Sequence, residues 1–220
     1  MPEEGPTAPT VGVLDYGSGN LHSAVKALEA AGAQVVLGSA EQIADCDGVV
    51  IPGVGAFAAC MDGLQQAGGD DLVRQRLEAG RPVLGICVGH QVMFGLGREH
   101  GVERAGIGVL PGVVEQIEAP RLPHMGWNTV EAPAGTRLFT DLGERYYFVH
   151  SYGVRSLPDG FEGLVTWAEH EGDRFVAAVE HGALTSVQFH PEKSGAAGGR
   201  LLGRWLRRVG EVRLGGPSAS

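Results

Sequence analysis

The sequence predicts an α/β domain built on an open, mostly parallel flavodoxin-like sheet with helices on both faces, followed by a partly antiparallel C-terminal half. Two observations carry this prediction. Between residues 11 and 95, short apolar runs alternate with segments of helical periodicity, which is the pattern of a parallel sheet with crossover helices. Between residues 108 and 189, apolar runs are separated by Gly and Pro turns with little helical periodicity, which favours antiparallel strands.

The elements of the first half follow in order along the chain. Strands are predicted at residues 11–15, 35–37, 48–51 and 82–86, where apolar residues cluster. Asn20 is expected to cap a helix that ends at Gly32, and Ser39 with Gln42 forms a capping box for a short second helix. Further helices are predicted at residues 57–66 and 71–79, and another is expected to begin at 89–94.

The second half is predicted to add strands and one closing helix. The strands centre on Val113, Val130, Tyr147, Leu164, Val176 and Val187. Residues 194–209 carry large apolar side chains at helical spacing, so this helix should pack back on the sheet; they are Leu201, Leu202, Trp205, Leu206 and Val209. We place one domain at residues 11–210, with disordered tails at 1–10 and 211–220, which are rich in Pro, Gly, Ser and charge.

Composition argues against several classes of function. The net charge of −9 disfavours a nucleic-acid or anionic-membrane partner, because either would call for a basic stripe. No apolar run approaches the ~20 residues of a membrane span, and residues 1–10 lack the features of an export signal, so a cytoplasmic protein is expected. Three cysteines argue against a disulfide framework, and Cys46 and Cys60 are expected to be ordinary core or surface residues.

A candidate nucleophile lies near the centre of the chain. Gly85-x-Cys87-x-Gly89 is the thiol version of the G-x-S-x-G elbow, in which glycines let a strand and a helix approach closely. A thiol at the apex of such a turn is exposed near a helix N-terminus, where the attacking thiolate is favoured. The same cysteine could instead be a small buried residue. Cys87 and His90 share C-x-x-H spacing, but no second half of a zinc site accompanies them, so no metal is expected.

A candidate base helps to decide between these two interpretations of Cys87. His190 follows the apolar run at 184–189, and Glu192 lies two positions further along. A general base needs a third group that fixes its tautomer and stabilises the imidazolium, and Glu192 can turn back to do so. A cysteine and a histidine that are distant in sequence but both at strand ends are typical of a triad assembled in space. Cys87, His190 and Glu192 are therefore a candidate catalytic triad.

Several stretches together resemble a known family. GICVGHQ with FHPE resembles the class I, or triad, glutamine amidotransferases. Five stretches in order are similar to the glutaminase subunits of imidazole glycerol phosphate synthases, enzymes of histidine biosynthesis: DYGSGN, PGVGAF, PHMGWN, YYFVHSY and QFHPEKS. They span residues 15–194. The family favours Met or a similar apolar residue where this chain has His90.

The resemblance implies a fold, a reaction and a set of site residues. The fold would be that of the class I amidotransferases, and no cofactor is expected. Cys87 would attack the side-chain carboxamide of L-glutamine, while His190 passes the thiol proton to the leaving ammonia and Glu192 orients His190. The remaining residues have two roles. The oxyanion hole would involve Val54, Gly55 and Val88. The substrate would be bound by Gln91 and by Ser151 and Tyr152, in a stretch that also contains His150.

The resemblance also implies a protein partner. Ammonia would be channelled to the cyclase subunit of the synthase, a (βα)8 barrel, which makes imidazole glycerol phosphate, and the two subunits would form a heterodimer. Residues expected at the interface are Asn20, Met125, Trp127 and Lys193. From the residues alone, the core is the favoured place for Met125 and Trp127, because large apolar groups in a Pro- and Gly-containing turn are either core or an interaction patch, and only the resemblance favours the patch.

Three alternatives remain open. Gly53-x-Gly55-x-x-Ala58 formally matches a dinucleotide fingerprint, although the next strand ends in Cys87 and carries no acid for a ribose hydroxyl. The chain could also be the glutaminase subunit of another amidotransferase or a γ-glutamyl hydrolase, which would share the triad. Finally, it could be a non-catalytic binding module of the same fold in which Cys87 is buried.

Overall fold

A computed structural model of the protein describes residues 8–17, 19–141 and 143–215. The strands are β1 Thr10–Leu14, β2 Gln34–Gly38, β3 Gly48–Gly53, β4 Val83–Cys87, β5 Phe94–Glu99, β6 Val102–Ala105, β7 Leu110–Gln116, β8 His124–Thr129, β9 Arg145–His150, β10 Tyr152–Val154, β11 Leu164–His170, β12 Asp173–His181 and β13 Leu184–Val187. The helices are α1 Leu21–Ala30, α2 Ala40–Ile43, α3 Phe57–Gln66, α4 Gly69–Glu78, α5 Val88–Gln91 and α6 Gly195–Arg213. One 3₁₀ turn, Pro191–Lys193, lies between β13 and α6.

Parallel strands form the middle of the central sheet, whose order in the described ranges is β11-β12-β13-β4-β3-β1-β2. The pairs β1–β2, β1–β3, β3–β4 and β4–β13 are parallel, whereas β11, β12 and β13 pair antiparallel. Strands β3 and β4 are buried along their whole length, as expected for apolar strands covered on both faces. The predicted open, mostly parallel sheet is confirmed. Its middle strand, β4, ends at Cys87, which pairs with Gly53 of β3.

The second half adds a small sheet, β10-β7-β5-β6, and the antiparallel hairpin β8–β9, which confirms its partly antiparallel character. Two local predictions are wrong. The helix after Cys87 is only the short α5, because Phe94 already pairs with Leu110 as the start of β5. PHMGWN is strand β8 from His124 onward rather than a turn, because it pairs along its length with β9. Both differences depend on partners far along the chain, which local periodicity does not contain.

The first strand and the last helix each continue slightly past residues 11 and 210, the predicted bounds of the domain. Strand β1 begins at Thr10, whose N–H donates to Asp47 at 2.8 Å, and α6 continues to Arg213, which lies 3.8 Å from the same carboxylate. Asp47 therefore ties both ends of the domain to the loop before β3. The rest of the predicted tails, residues 1–7 and 216–220, lies outside the described residues.

Helix α6 covers the sheet beside β3, as its apolar periodicity predicts. Trp205 and Val209 are fully buried and lie over Gly48, where an added Cβ would come within 2.9 Å of both side chains. The other predicted apolar residues of this helix, Leu201, Leu202 and Leu206, are buried as well. No helix in the described part of the chain is long and apolar enough to cross a membrane.

Candidate active site

Cys87 lies on a strained turn between β4 and α5. The expectation that it is exposed is wrong, because the residue is only 4% exposed, although it borders a cavity. The backbone of Cys87 has φ 57° and ψ −113°, a conformation that residues other than glycine rarely adopt. The flanking glycines allow this turn because their hydrogens face backbone: a Cβ on Gly89 would lie 1.9 Å from the carbonyl oxygen of Ile51, and one on Gly85 would lie 2.5 Å from that of Gly89. The spacing G-x-C-x-G therefore has the steric cause that the elbow motif requires.

His190 is held in place by both its main chain and its ring. The main-chain N–H of His190 donates to the carbonyl oxygen of Tyr147 at 2.9 Å, and the carbonyl oxygen of His190 accepts from the hydroxyl of Ser194 at 2.6 Å. The ring Nδ1 lies 2.7 Å from Oε1 of Glu192, and both side chains are almost fully buried. This contact fixes the ring orientation and makes Nδ1 the protonated nitrogen facing the carboxylate.

The environment of His190 favours its charged form. Burial would lower the pKa of His190, but hydrogen bonds with Cys87 and Glu192, together with their negative charges, outweigh it and raise that pKa to about 9. The imidazolium of His190 therefore predominates at neutral pH, between the sulfur of Cys87 on one side and the Glu192 carboxylate on the other. An arrangement of this kind keeps a proton beside the sulfur for transfer to a leaving group.

Cys87 and His190 line one cavity of about 410 Å³. Its walls also contain most residues that the sequence singled out, namely Val54, Gly55, Val88, Gln91, Ser151, Tyr152 and Lys193. Met125 and Trp127 lie elsewhere: they are the exposed side chains of β8, with 61% and 47% of their surface accessible. They are therefore not core residues, which decides that open alternative in favour of an exposed patch.

Asn20 lies beside the candidate triad but not as a helix cap. It occupies the position before α1 in a left-handed conformation, φ 69°, and its side chain makes no capping hydrogen bond, so this prediction is wrong. The side-chain oxygen instead accepts from the hydroxyl of Ser23 at 2.8 Å. The side-chain amide reaches Oε1 of Glu192 at 3.4 Å, so Asn20 contacts the group that orients His190.

The end of β3 and the loop after it are each anchored by one side chain. The hydroxyl of Tyr16 donates to the carbonyl of Pro52 at 2.5 Å, and the thiol of Cys60 in α3 donates to the carbonyl of Val54 at 3.2 Å. Because the N–H of a trans peptide points opposite to its C=O, the Gly55 N–H is directed away from Cys60. Cys60 is thus a buried residue that contacts the loop proposed for the oxyanion hole, a contact that its sequence context does not reveal.

Gln91 is oriented by two acceptors. Its amide nitrogen donates to the carbonyl of Tyr152 at 2.8 Å and to Oε1 of Gln188 at 3.0 Å. Both amide hydrogens have partners, so the amide oxygen is the group left for a ligand.

His90, where the resemblance favours an apolar residue, lies buried behind the elbow. The side chain is fully buried, its Nδ1 lies 2.8 Å from the hydroxyl of Ser186, and its ring packs edge-on against Phe94. Burial lowers the pKa of His90 to about 3, so the ring is neutral. It therefore serves as a packing group behind the elbow, with one added hydrogen bond to β13.

Four residues of the cavity wall were not predicted from the sequence: Glu99, His100, Gln116 and Val149. Glu99 is the most informative of them, because its carboxylate accepts from the N–H of Phe57 at 2.6 Å and still borders the cavity. It ends a short strand that the sequence did not predict, so no local signal separated it from a solvated surface carboxylate. Among the described residues, no group of three or more His, Cys, Asp or Glu side chains could hold a metal ion.

Comparison with known proteins identifies the family. Residues 12–207 match the model of the glutamine amidotransferase class-I family, which is most of the chain. The chain belongs to the class I glutamine amidotransferases. Members of this class are enzymes that act on glutamine.

Relatives narrow the membership. The protein named imidazole glycerol phosphate synthase subunit HisH in Corynebacterium diphtheriae is 58% identical over 89% of this chain and 97% of its own. The proteins of that name in Leifsonia xyli and Streptomyces avermitilis are 58% and 54% identical over 88% and 91% of this chain, and 96% and 97% of theirs. At such identity and coverage, this amidotransferase is a member of the HisH family.

Solved structures agree on the fold. A glutamine amidotransferase superposes with a TM-score of 0.68 at 22% identity, covering 91% of this chain and 98% of that one. The PurLQS structure from Thermotoga maritima gives 0.68 at 18% identity, with the same coverage of both chains. These likenesses confirm the class I amidotransferase fold that the sequence predicted.

Proposed function

We propose that this amidotransferase is the glutaminase subunit of an imidazole glycerol phosphate synthase, and that it hydrolyses glutamine with Cys87, His190 and Glu192. One observation carries the proposal: Cys87 on the elbow and the Glu192-bonded His190 face the same cavity. A nucleophile, a base and an orienting group in this order are what acyl transfer through a thioester requires.

The reaction follows from this arrangement. With its proton held by His190, the sulfur of Cys87 attacks the side-chain carboxamide carbon of glutamine and forms a tetrahedral oxyanion. His190, whose pKa is raised to about 9, donates its proton to the departing nitrogen, so ammonia leaves and a thioester remains. His190 then accepts a proton from the water that attacks the thioester. Glutamate and the free thiol are released, while Glu192 stabilises the imidazolium in both steps.

We assign the oxyanion hole to the loop of Val54 and Gly55 together with the N–H of Val88. The Val54 carbonyl is engaged by Cys60, so the Gly55 N–H on the opposite side of that peptide can serve as a donor. Glycines on both sides of Val54 also allow these peptides to rotate at little cost. A donor lost by rotation costs about a hundred- to a thousandfold in rate, so partner docking could switch the enzyme through this loop.

Glutamine itself would bind across the cavity from the elbow. The oriented amide oxygen of Gln91 and the carboxylate of Glu99 suit the α-ammonium group, because both are acceptors on the cavity wall. Ser151 and Tyr152 would hold the α-carboxylate side of the substrate. This division leaves the carboxamide end directed at Cys87.

The partner is proposed to be the cyclase subunit, a (βα)8 barrel that uses the ammonia. Met125 and Trp127 present an exposed apolar patch on β8, and β8 pairs with β9, whose Tyr147 carbonyl binds the N–H of His190. Lys193 borders the cavity mouth, and Asn20 lies next to Glu192. A barrel docked on these residues would cover the cavity and receive ammonia directly.

The test is Cys87→Ala in complex with the cyclase subunit. We expect glutamine-dependent product formation to fall by at least a thousandfold, while product formation from added ammonium salt stays near the wild-type rate, because the thiol is needed only to liberate ammonia. Cys46→Ala, which removes a buried thiol that does not line the cavity, is the matched control and should retain both activities.

Two results would overturn this proposal. Glutamine-dependent turnover near the wild-type rate in Cys87→Ala would remove Cys87 from the mechanism. Glutamate formation by the wild-type chain without any product from the cyclase would instead indicate another acceptor, as in a different amidotransferase or a γ-glutamyl hydrolase.

A further inference from the structure

Two buried histidines connect the hairpin β8–β9 to the cavity. His124 and His150 lie directly opposite each other in the hairpin register and are only 3% and 7% exposed. Nδ1 of His124 is 3.1 Å from Nε2 of His150, and Nδ1 of His150 is 2.9 Å from the carbonyl oxygen of Tyr152. At the other end, the side-chain amide of Asn128 lies 3.3 Å from Nε2 of His124.

These hydrogen bonds form one series that runs from Asn128 through the two histidines to Tyr152, and the direction of each bond is fixed. A carbonyl can only accept, so His150 must be protonated on Nδ1. Burial lowers the pKa of His150 to about 3, which leaves its Nε2 as an acceptor for Nδ1–H of His124. Burial, together with the charge of His170, lowers the pKa of His124 to about 4, so its Nε2 in turn accepts from Asn128. Each ring is therefore a neutral tautomer that donates towards Tyr152.

The series of hydrogen bonds ends at the Tyr152 carbonyl, which belongs to a residue of the cavity wall. The Tyr152 carbonyl accepts from His150 and also from the amide of Gln91 at 2.8 Å. Two donors on one carbonyl fix the peptide after Tyr152 and the rotamer of Gln91 together. The series of hydrogen bonds starts at Asn128, which lies next to the exposed Trp127 on β8.

We infer that His124 and His150 are positioning residues for glutamine, which hold Tyr152 and Gln91 in the binding geometry. This inference rests on the function proposed above. Neither ring touches the reacting atoms in that mechanism. Loss of this series of hydrogen bonds should therefore weaken glutamine binding rather than slow the chemical step.

The test is glutamine binding by calorimetry, with the cyclase complex and a Cys87→Ala parent that cannot turn the ligand over. Substitution His124→Phe keeps an aromatic ring that can stack on Phe148 but removes both nitrogens. We expect Kd for glutamine to rise about fivefold or more, because Nε2 of His150 loses its donor in a buried site. His124→Asn places an amide N–H near the position of Nδ1 and should return Kd to within about twofold of the parent.

His170→Phe is the matched control. The ring of His170 stacks on His124 at 4.1 Å, but its Nε2 contacts the carbonyl of Arg121, which is not part of the series of hydrogen bonds. We expect its Kd to equal that of the parent. In the corresponding variants with Cys87 intact, KM should change as Kd does, while kcat and the rate of alkylation by iodoacetamide should stay at wild-type values.

Each unfavourable outcome has a distinct meaning. If the parent binds glutamine and His124→Phe binds it equally well, the inference is wrong. The same holds if His124→Asn is as weak as His124→Phe, since the donor would then be irrelevant, or if His170→Phe is equally weak, since stacking would then be the cause. A parent complex that binds no glutamine would overturn the proposed function and this inference with it.

Discussion

The two walls of the cavity are built on different physical principles. The elbow wall, formed by β3, β4 and α5, places Cys87 through contacts of backbone with backbone, where Gly89 leaves no room for a Cβ. The histidine wall is formed by β9, β10 and the turn after β13, with β8 paired behind it, and it places His190 and Tyr152 through side-chain hydrogen bonds to a carboxylate and to a carbonyl. Steric exclusion fixes one wall, and donor–acceptor matching fixes the other.

This difference predicts different responses to substitution. A steric constraint fails completely when one atom is added, because backbone cannot move aside without moving the sheet. A hydrogen-bonded wall loses function in steps, since each contact contributes about 0.5–3 kcal/mol and neighbouring contacts remain. A substitution on the elbow wall should therefore either leave folding intact or prevent it, whereas substitutions on the histidine wall should lower activity by different amounts.

The largest expected effect is that of Gly89→Ala on the elbow wall. The added Cβ would lie 1.9 Å from the Ile51 carbonyl oxygen, so we expect the free energy of unfolding to fall by more than about 3 kcal/mol, the upper end of ordinary overpacking. Urea denaturation followed by circular dichroism measures this. Gly199→Ala in α6 is the control, because a Cβ there meets nothing within 4 Å and should be neutral or slightly stabilising. Equal stability of the two variants would contradict the steric account.

The next largest effect is that of Glu192→Gln on the histidine wall. The shape is kept but the charge that stabilises the imidazolium is lost, so kcat for glutamine should fall about a hundredfold or more. Alkylation of Cys87 should remain possible. Glu131→Gln, which removes the same charge from an exposed ion pair with Arg174, is the control and should keep wild-type kcat. Wild-type turnover in Glu192→Gln would show that another group orients His190.

The same variant should also change the pH dependence of stability. The pKa of His190 is raised from 6.5 to about 9, so its interactions stabilise the fold fully below about pH 6.5, and this stabilisation is lost as pH rises through about 9. Glu192→Gln should therefore be less stable than wild type at about pH 6, with a difference that shrinks by about pH 9.5. Urea denaturation at both pH values measures this, and a difference that grows with pH would contradict the raised pKa.

The smallest effect is expected for Asn20→Ala, which removes an outer contact of the histidine wall. The amide lies 3.4 Å from Glu192, so the contact is long, and its loss should lower kcat only about two- to tenfold when the cyclase is saturating. Steady-state kinetics of the complex measures this. If kcat is unchanged and only the affinity for the cyclase falls, Asn20 acts at the interface alone and does not support Glu192.

The contrast between the walls also explains which features the sequence could predict. The elbow is local: Gly85, Cys87 and Gly89 lie within five positions, so the steric requirement is written in the motif itself. The parallel strands could be predicted equally well, because buried strands appear in the sequence as continuous apolar runs. His190 and Glu192 could be placed beside Cys87 because parallel strand ends meet at one edge of the sheet.

The histidine wall was less predictable because its contacts join distant parts of the chain. His124 and His150 become neighbours only in the register of β8 with β9, and the sequence favoured a turn where β8 forms. Glu99 reaches the cavity only through the pairing of β5 with β7. Asn20 has a typical capping residue type, but its left-handed backbone directs the side chain to Ser23 and Glu192 instead.

The central claim is that the cavity between the two walls presents a thiol to glutamine, and covalent labelling tests it most directly. The chain is treated with a chloroketone analogue of glutamine, and the intact mass and the modified peptide are measured. We predict one adduct, located on Cys87, that excess glutamine prevents and Cys87→Ser abolishes. An unmodified wild-type chain, an adduct on Cys46 or Cys60, or labelling that glutamine does not affect would contradict the account.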